Sequence, residues 1–113
     1  MDKTANRIAA VAECVQAFHE RFGLVGPATK EELLSRIPIQ QEEVRELEQA
    51  IRRESPERIA SEAADVLFVA IGTLLRLEPS LAALALDEVI GKNNAKTHET
   101  HHVNAAGKVV RRA

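Results

Sequence analysis

The chain has 113 residues, a net charge of −2, three Phe, no Trp or Tyr and one cysteine, Cys14. This length suits one small domain, and the lone cysteine excludes an internal disulfide and is typical of a protein in the reducing cytoplasm. We expect no secretory signal, no membrane span and no nucleic-acid partner. The chain lacks a long apolar run, its body is acidic, and it has few aromatic rings on which bases could stack.

The first 38 residues predict two helices. Apolar side chains recur every three or four residues over residues 2–22, which indicates an amphipathic helix that ends at Gly23. Thr29 and Glu32 then form the pattern of a capping box, which begins a second helix. Pro38 has no amide hydrogen and disfavours helix at the residue before it, so we expect this second helix to be short and to end there.

Three further helices are expected before a tail without helical periodicity. Residues 39–54 resume the helical pattern, and Ser55 followed by proline is a typical N-cap and first turn. The helix of residues 56–78 is apolar on almost every side, which in a small protein indicates burial on several faces. A last helix begins at Pro79 and ends between residues 91 and 97, and residues 98–113 should form an extended or mobile tail.

These elements predict an all-α fold, a bundle of four to five helices. We assign residues 1–97 to this helical domain and residues 98–113 to a basic C-terminal tail. Four or five helices from one chain could hardly cover the apolar helix of residues 56–78. We therefore expect a homo-oligomer, either a homodimer or a dimer of dimers.

Two acidic clusters stand out on the predicted helices: Glu42, Glu43 and Glu46, and then Glu62 and Asp65. At three-residue spacing Glu43 and Glu46 share one helical face, as do Glu62 and Asp65. If the two helices pack side by side, four carboxylates converge, and two charges about 5 Å apart repel by roughly 3 kcal/mol. A hard divalent cation such as Mg²⁺, or Mn²⁺ as a substitute, would relieve this repulsion and indicates phosphate chemistry.

The acidic clusters have a second interpretation. Asp65 lies in the most apolar stretch of the chain, where an unpaired carboxylate is costly, so it should be paired or bound to a metal. Glu42 points about 100° away from Glu43 on the same helix. It is a second metal ligand, a base that orients the attacking water, or an exposed side chain. A plain salt-bridge network remains open, with the arginines Arg45, Arg52, Arg53 and Arg58 as partners.

Positive charge is concentrated at the C-terminus, where residues 92–113 carry five Lys and Arg against one acidic residue, Glu99. Lys92, Asn93 and Lys96 lie at the end of the last helix, where lysines either contact phosphates or complement the helix dipole. The tail cations, which are Lys108, Arg111 and Arg112, either close over a polyphosphate or are solvated. The histidines of the tail are interpreted as surface residues: His98, His101 and His102.

Four short motifs follow one another along the chain: Glu42-Glu43-Val44-Arg45-Glu46, Glu62-Ala63-Ala64-Asp65 before an apolar run, Asn93-Asn94-Ala95-Lys96, and Gly107-Lys108-Val109-Val110-Arg111. In this order the chain resembles the MazG-like all-α nucleoside triphosphate pyrophosphohydrolases, in particular the branch with dimeric dUTPase-like members. The resemblance extends over nearly the whole chain and includes Phe18-His19.

The resemblance implies a Mg²⁺-dependent enzyme that cleaves the α–β phosphoanhydride of a nucleoside triphosphate and so removes unwanted nucleotides. Carried over by position, the metal ligands would be Glu43, Glu46, Glu62 and Asp65. Glu42, beside Glu43, would position or deprotonate water, and these two are the candidate catalytic residues. The phosphate contacts would be Lys92, Asn93, Lys96 and Lys108.

The base pocket and two other functions remain open at this point. Phe18, His19 and Phe22 are candidates to line a base pocket, but they are equally plausible as core residues. One alternative function is a non-catalytic helical module for oligomerisation or nucleotide binding. Another is the related phosphoribosyl-ATP pyrophosphohydrolase.

Overall fold

The structure, a computed structural model, describes residues 2–113. Its elements are α1 (Lys3–Arg21), α2 (Lys30–Arg53), α3 (Pro56–Leu75), α4 (Pro79–Asn94), β1 (His101–Val103) and β2 (Val109–Arg111). The expected all-α class is confirmed, because the sole sheet of the described residues is the short pairing of β1 with β2. Backbone packing divides the chain into two compact units, one ending at Pro79 and one of Ser80–Ala113. The domain bounds expected from the sequence stay a prediction.

The predicted helix starts are confirmed by their caps. Thr29 accepts a hydrogen bond from the Glu32 amide at 3.1 Å, and the Glu32 carboxylate accepts one from the Thr29 amide at 3.0 Å. Ser55 caps α3, with Pro56 in its first turn. Gly23, with φ of +71°, follows α1 in a conformation that favours glycine. Local sequence therefore determines where these helices begin and end.

The expected break at Pro38 is wrong, because α2 continues through this proline to Arg53. Pro38 leaves one helical carbonyl without its amide partner, but the turns on either side are fastened to α3. Arg36 donates hydrogen bonds to Thr73 Oγ1 and Val69 O, and Gln40 donates one to Val66 O. Packing on the neighbouring helix thus outweighs a local preference against helix, and one long helix replaces two short ones.

In the first unit, α3 packs against both α2 and α1. The buried apolar side chains are Val15 on α1, Ala50 on α2 and Val69 on α3. Since α2 follows α3 along its length, residues spaced three or four apart on α2 face α3 in register. This pairing places the two acidic clusters beside each other. Among the described residues, no helix combines the length and the apolar character needed to cross a membrane.

The second unit contains α4 and a hairpin that the sequence did not predict. The tail was expected to be extended or mobile, but β1 and β2 pair antiparallel, with His101 opposite Arg111 and Val103 opposite Val109. Asn104 forms the turn, since its side chain accepts hydrogen bonds from the Ala106 and Lys108 amides. Gly107 has φ of +85° in this turn. Three-residue strands are too short to show a periodic pattern in the sequence.

Candidate metal centre

Three carboxylates meet between α2 and α3. Glu43 on α2 and Glu62 and Asp65 on α3 each place one carboxylate oxygen within 4.8 Å of the others. Glu62 is buried, with 5% of its surface exposed, whereas Glu43 is half-buried and Asp65 is exposed. The expectation that Asp65 is enclosed by apolar residues therefore does not hold within this chain, and Glu62 is the buried acid.

Two oxygens of this cluster are buried without a hydrogen-bond partner: Glu43 Oε2 and Glu62 Oε2. A buried carboxylate oxygen without a donor loses its hydration and gains nothing in return, so such atoms are rare unless a cation or water satisfies them. Oxygen atoms from several carboxylates are the ligands that hard divalent cations prefer. The donor set and the unsatisfied oxygens thus fit a divalent metal ion.

Glu46 adjoins the same cluster, one turn along α2 from Glu43. Glu46 is exposed, but partial loss of hydration beside the cluster raises its pKa, and the negative charges of Glu43 and Glu62 raise it further. A protonated Glu46 can also donate a hydrogen bond to Glu62, which favours the neutral form. The structure therefore brings three of the four proposed metal ligands together and places the fourth, Glu46, beside Glu62 but outside that group. Their binding of a metal stays a prediction.

One cation, Arg58, contacts the cluster. Its Nη2 donates to Glu62 Oε1 at 2.5 Å, and its Nε donates to Glu54 Oε1 at 3.2 Å. The Arg58 side chain is 55% exposed, whereas that of Glu62 is 6% exposed. The sequence offered four arginines as partners for the acids, and Arg58 is the one with an ion pair to Glu62. Arg45 and Arg52 instead pair with Glu42 and Glu48 on the surface of α2.

A second polar group, which the sequence analysis missed, lies further along the α2–α3 pair. Arg36 reaches α3 through its bonds to Thr73 and Val69, and Gly72 lies between them in sequence. A Cβ on Gly72 would lie 2.5 Å from Arg36 Nη2 and 2.9 Å from His19 Nε2, so a larger residue here would displace the ends of both side chains. Arg36 is seven residues before Glu43 and lies on the same helical face. This spacing in the sequence could have placed Arg36 on the side of α2 that faces α3.

Arg76 fastens the loop after α1 to the end of α3. Buried to all but 6% of its surface, it donates to Gly26 O at 3.0 Å and to Glu32 Oε2 at 2.9 Å. The Ala28 amide donates to Arg76 O at 2.7 Å. These bonds shape one side of a cavity of about 330 Å³, which is lined by His19, Leu24 and Leu75 among others.

The three residues proposed for a base pocket have different surroundings. His19 lines that cavity and is 5% exposed, and its Nδ1 has no hydrogen-bond partner. Phe18 packs edge-on against Phe68 with ring centroids 5.3 Å apart, and against Phe22 at 4.9 Å. Phe22 is 61% exposed. Of the three, His19 is the residue placed to meet a ligand in the cavity.

The remaining candidates are exposed. Glu42, proposed as a catalytic residue, pairs with Arg45 at 2.5 Å on the surface of α2. In the second unit Lys96 Nζ donates to Asn93 Oδ1 at 2.9 Å, so this lysine and asparagine act together. Lys92 lies in the last turn of α4, and the Lys108 amide takes part in the hairpin turn. The catalytic and phosphate-binding roles of these residues stay predictions.

The histidines of the tail line a separate cavity of about 300 Å³ within the second unit, with Lys96 and Arg112 also in its wall. Within residues 2–113, the group of acids and histidines close enough to share a metal is the Glu43–Glu62–Asp65 cluster. His98, His101 and His102 are not in it. His98 and His102 are exposed, as the sequence predicted, and His101 is half-buried.

Comparison with known proteins agrees with this geometry. The sequence model of one family, described as the MazG nucleotide pyrophosphohydrolase domain, matches residues 30–103. This match spans α2, α3 and α4 and includes both acidic clusters. No curated protein and no solved structure matches the chain significantly.

Proposed function

The chain belongs to the MazG nucleotide pyrophosphohydrolase family, and we propose that it is a Mg²⁺-dependent enzyme that cleaves the α–β phosphoanhydride of a nucleoside triphosphate. Membership makes it a nucleotide pyrophosphohydrolase, which is a hydrolase acting on phosphoanhydrides. The proposed products are a nucleoside monophosphate and pyrophosphate. Such a reaction removes unwanted triphosphates from the nucleotide pool, and this is the role that we propose.

The observation that supports metal dependence is the pair of buried carboxylate oxygens without partners, on Glu43 and Glu62. With Asp65 and Glu46 they offer the oxygen-rich, negatively charged set that Mg²⁺ prefers, and Mn²⁺ would be an effective substitute. Such an ion, when bound, neutralises phosphate charge and polarises the phosphoryl oxygens. Three or four carboxylates leave coordination positions open for phosphate and water.

Within the proposed reaction, the residues of the chain have separate tasks. Glu43, Glu46, Glu62 and Asp65 hold the ion, while Glu42, next to the ligand Glu43, orients the attacking water or accepts its proton. Glu42 is exposed and held by one surface ion pair, so it is free to turn toward a substrate. The cationic and amide groups proposed to stabilise charge on the leaving pyrophosphate are Lys92, Asn93, Lys96 and Lys108.

We also propose that the cavity beside His19 receives the nucleoside end of the substrate. Its volume of about 330 Å³ suits a base with part of its sugar, and its walls combine apolar side chains with the buried imidazole and the polar Gln16 and Glu20. Burial, together with the charges of Arg36 and Arg76, lowers the pKa of His19, so the ring is neutral near pH 7 and offers one donor and one acceptor.

The test is product analysis with a panel of canonical and damaged nucleotides and phosphoribosyl-ATP, with Mg²⁺, with Mn²⁺ and with chelator. We expect monophosphate and pyrophosphate from a nucleoside triphosphate, and no turnover in chelator. Diphosphate and phosphate as products would contradict the proposed cleavage position. Turnover of phosphoribosyl-ATP alone would support the alternative that the chain is a phosphoribosyl-ATP pyrophosphohydrolase. The absence of turnover with every nucleotide would support a non-catalytic module.

A pair of variants tests the metal centre directly. Glu62→Gln keeps the size of the side chain but removes its charge, so we expect kcat/KM to fall by at least about 100-fold while the protein stays folded. Glu48→Gln is the matched control, because Glu48 is 62% exposed and contacts Arg52 rather than the cluster. If Glu62→Gln unfolds the protein instead, the acids form a structural network and the catalytic proposal fails.

A further inference from the structure

We propose that Arg58 is a built-in counter-ion of Glu62 that competes with the divalent cation for this carboxylate and thereby weakens metal binding. The inference rests on the proposed function, since it assumes a metal at the Glu43–Glu62–Asp65 cluster. It adds a residue that no motif or family match assigns. It also makes a claim about the affinity of the metal site, which is separate from the reaction.

The geometry places one guanidinium on the edge of the cluster. Arg58 lies in the first turn of α3, four residues before Glu62, so the two side chains meet on one helical face. Its Nη2 donates to Glu62 Oε1 at 2.5 Å, and its Nε donates to Glu54 Oε1 at 3.2 Å. The two carboxylates therefore hold the guanidinium between them, with its charge directed at the buried acid.

The two partners differ in their freedom to move. Glu62 is 6% exposed and cannot leave the cluster without rearrangement of α3, whereas the Arg58 side chain is 55% exposed. Glu54 lies at the C-terminal end of α2 and offers Arg58 a second partner away from the cluster. Arg58 can therefore release Glu62 and remain paired with Glu54, while Glu62 stays in place for a metal.

The charge of Arg58 affects the whole cluster. An arginine guanidinium keeps its proton at every pH of interest, so Arg58 carries a fixed positive charge beside Glu62. A fixed positive charge repels a divalent cation and reduces the negative potential that attracts it. At the same time, the ion pair relieves repulsion among the carboxylates when no metal is bound. Arg58 therefore weakens metal binding and stabilises the cluster when no metal is bound.

The test compares Arg58→Gln with Arg52→Gln. Arg52 is the matched control, because it makes an i,i+4 ion pair with Glu48 on the surface of α2 and does not contact the cluster. Binding of Mn²⁺ without nucleotide is measured by titration calorimetry and by electron paramagnetic resonance. Thermal unfolding in chelator gives the stability of each metal-free protein.

We expect Arg58→Gln to bind Mn²⁺ about three- to tenfold more tightly than the natural protein, which corresponds to loss of one repulsive charge at a partly solvated site. We also expect a lower midpoint of unfolding in chelator. Arg52→Gln should change neither quantity. In a Glu62→Gln background, Arg58→Gln should lose most of its effect on metal-free stability, since the pair is already broken.

Unchanged or weaker Mn²⁺ binding by Arg58→Gln would overturn the inference. Weaker binding would show that Arg58 instead holds Glu62 in position for the metal. Failure of the natural protein to bind Mn²⁺ would overturn both this inference and the proposed metal centre. If the natural protein binds Mn²⁺, Arg58→Gln binds it more tightly, and no nucleotide is hydrolysed, the inference stands and the proposed function alone fails.

Discussion

His19 is the residue whose environment departs most from its usual one. It is nearly enclosed, its Nδ1 has no partner, and Gly72 leaves it just enough room beside Arg36. Burial lowers its pKa first, and the charges of Arg36 and Arg76 lower it further. The folded protein therefore keeps this ring neutral at pH values where an unfolded chain would protonate it.

The lowered pKa of His19 predicts a loss of stability in mild acid. The stability that comes from a neutral His19 is fully present above the ordinary histidine pKa of 6.5 and is lost as the pH falls through the lower folded value. One such group contributes a slope of at most about 1.4 kcal/mol per pH unit. We expect His19→Gln to show a smaller loss of unfolding free energy than the natural protein between pH 7 and pH 5, measured by urea denaturation.

His98→Gln is the control for this experiment, because His98 is an exposed histidine of the second unit. It should follow the natural pH dependence. Equal slopes for His19→Gln and the natural protein would show that the fold does not lower the pKa of His19, which would contradict the effect of its burial and of the two arginines.

Helix α2 continues through Pro38, although proline disfavours helix at this point of the sequence. Pro38 is an exposed residue in the interior of the helix, where proline lowers the stability of the helix by about 3 kcal/mol relative to alanine. Proline also stiffens the unfolded chain, which offsets about 0.4–1 kcal/mol of this loss. Pro38→Ala should therefore raise the unfolding free energy by about 1–3 kcal/mol, measured by urea denaturation in chelator. Gln41→Ala, also exposed on α2, should change it by no more than about 0.5 kcal/mol. A destabilised Pro38→Ala protein would show that the proline shapes the helix that carries Glu43.

The elements also show what local sequence can and cannot predict. Caps such as Thr29 and Ser55 act within one helical turn, so the starts of α2 and α3 were predictable. The passage of α2 through Pro38 depends on bonds from Arg36 and Gln40 to α3, which are tertiary contacts. The hairpin of the second unit depends on a turn at Asn104 between strands too short for a periodic pattern.

In the candidate site, too, some features could be predicted from local sequence and others could not. The three-residue spacing of the acids places them on shared helical faces, and this was enough to predict their convergence once α2 and α3 pack together. Which acid is buried depends on packing, and the sequence favoured Asp65 where the structure buries Glu62. The roles of Arg36 and Arg58 depend on which of several similar arginines reaches the neighbouring helix, which no local pattern specifies.

The single chain leaves much of its apolar surface uncovered. Among the residues that the structure describes, three apolar residues are buried and many large ones are exposed. Three of the exposed ones form a stripe on α2 at seven-residue spacing: Ile37, Val44 and Ile51, with 54%, 49% and 60% of their surface exposed. Seven residues are almost two helical turns, so this stripe runs straight along the helix, on a face that α3 does not cover. Such a stripe is typical of a helix that packs against another helix.

We propose that a second copy of the chain covers this stripe. Charges of both signs accompany the stripe along α2, with Glu42 and Arg45 near its middle and Glu48 and Arg52 near its C-terminal end. Such a surface is complementary to itself, as an interface with twofold symmetry requires. The stripe is also rigidly presented, because the adjoining face of α2 is fixed to α3 by Arg36 and Gln40.

The assembly is testable by light scattering after gel filtration at micromolar concentration. We expect two or four times the chain mass of 12.4 kDa for the natural protein. Val44→Glu buries a charge in the proposed interface, so we expect dissociation toward the monomer and a lower unfolding midpoint. Ser35→Glu adds the same charge at an exposed position on the side of α2 turned away from the stripe and should leave the assembly intact. A natural protein that elutes as a monomer, or a Val44→Glu protein that assembles normally, would show that this face of α2 has no second copy against it.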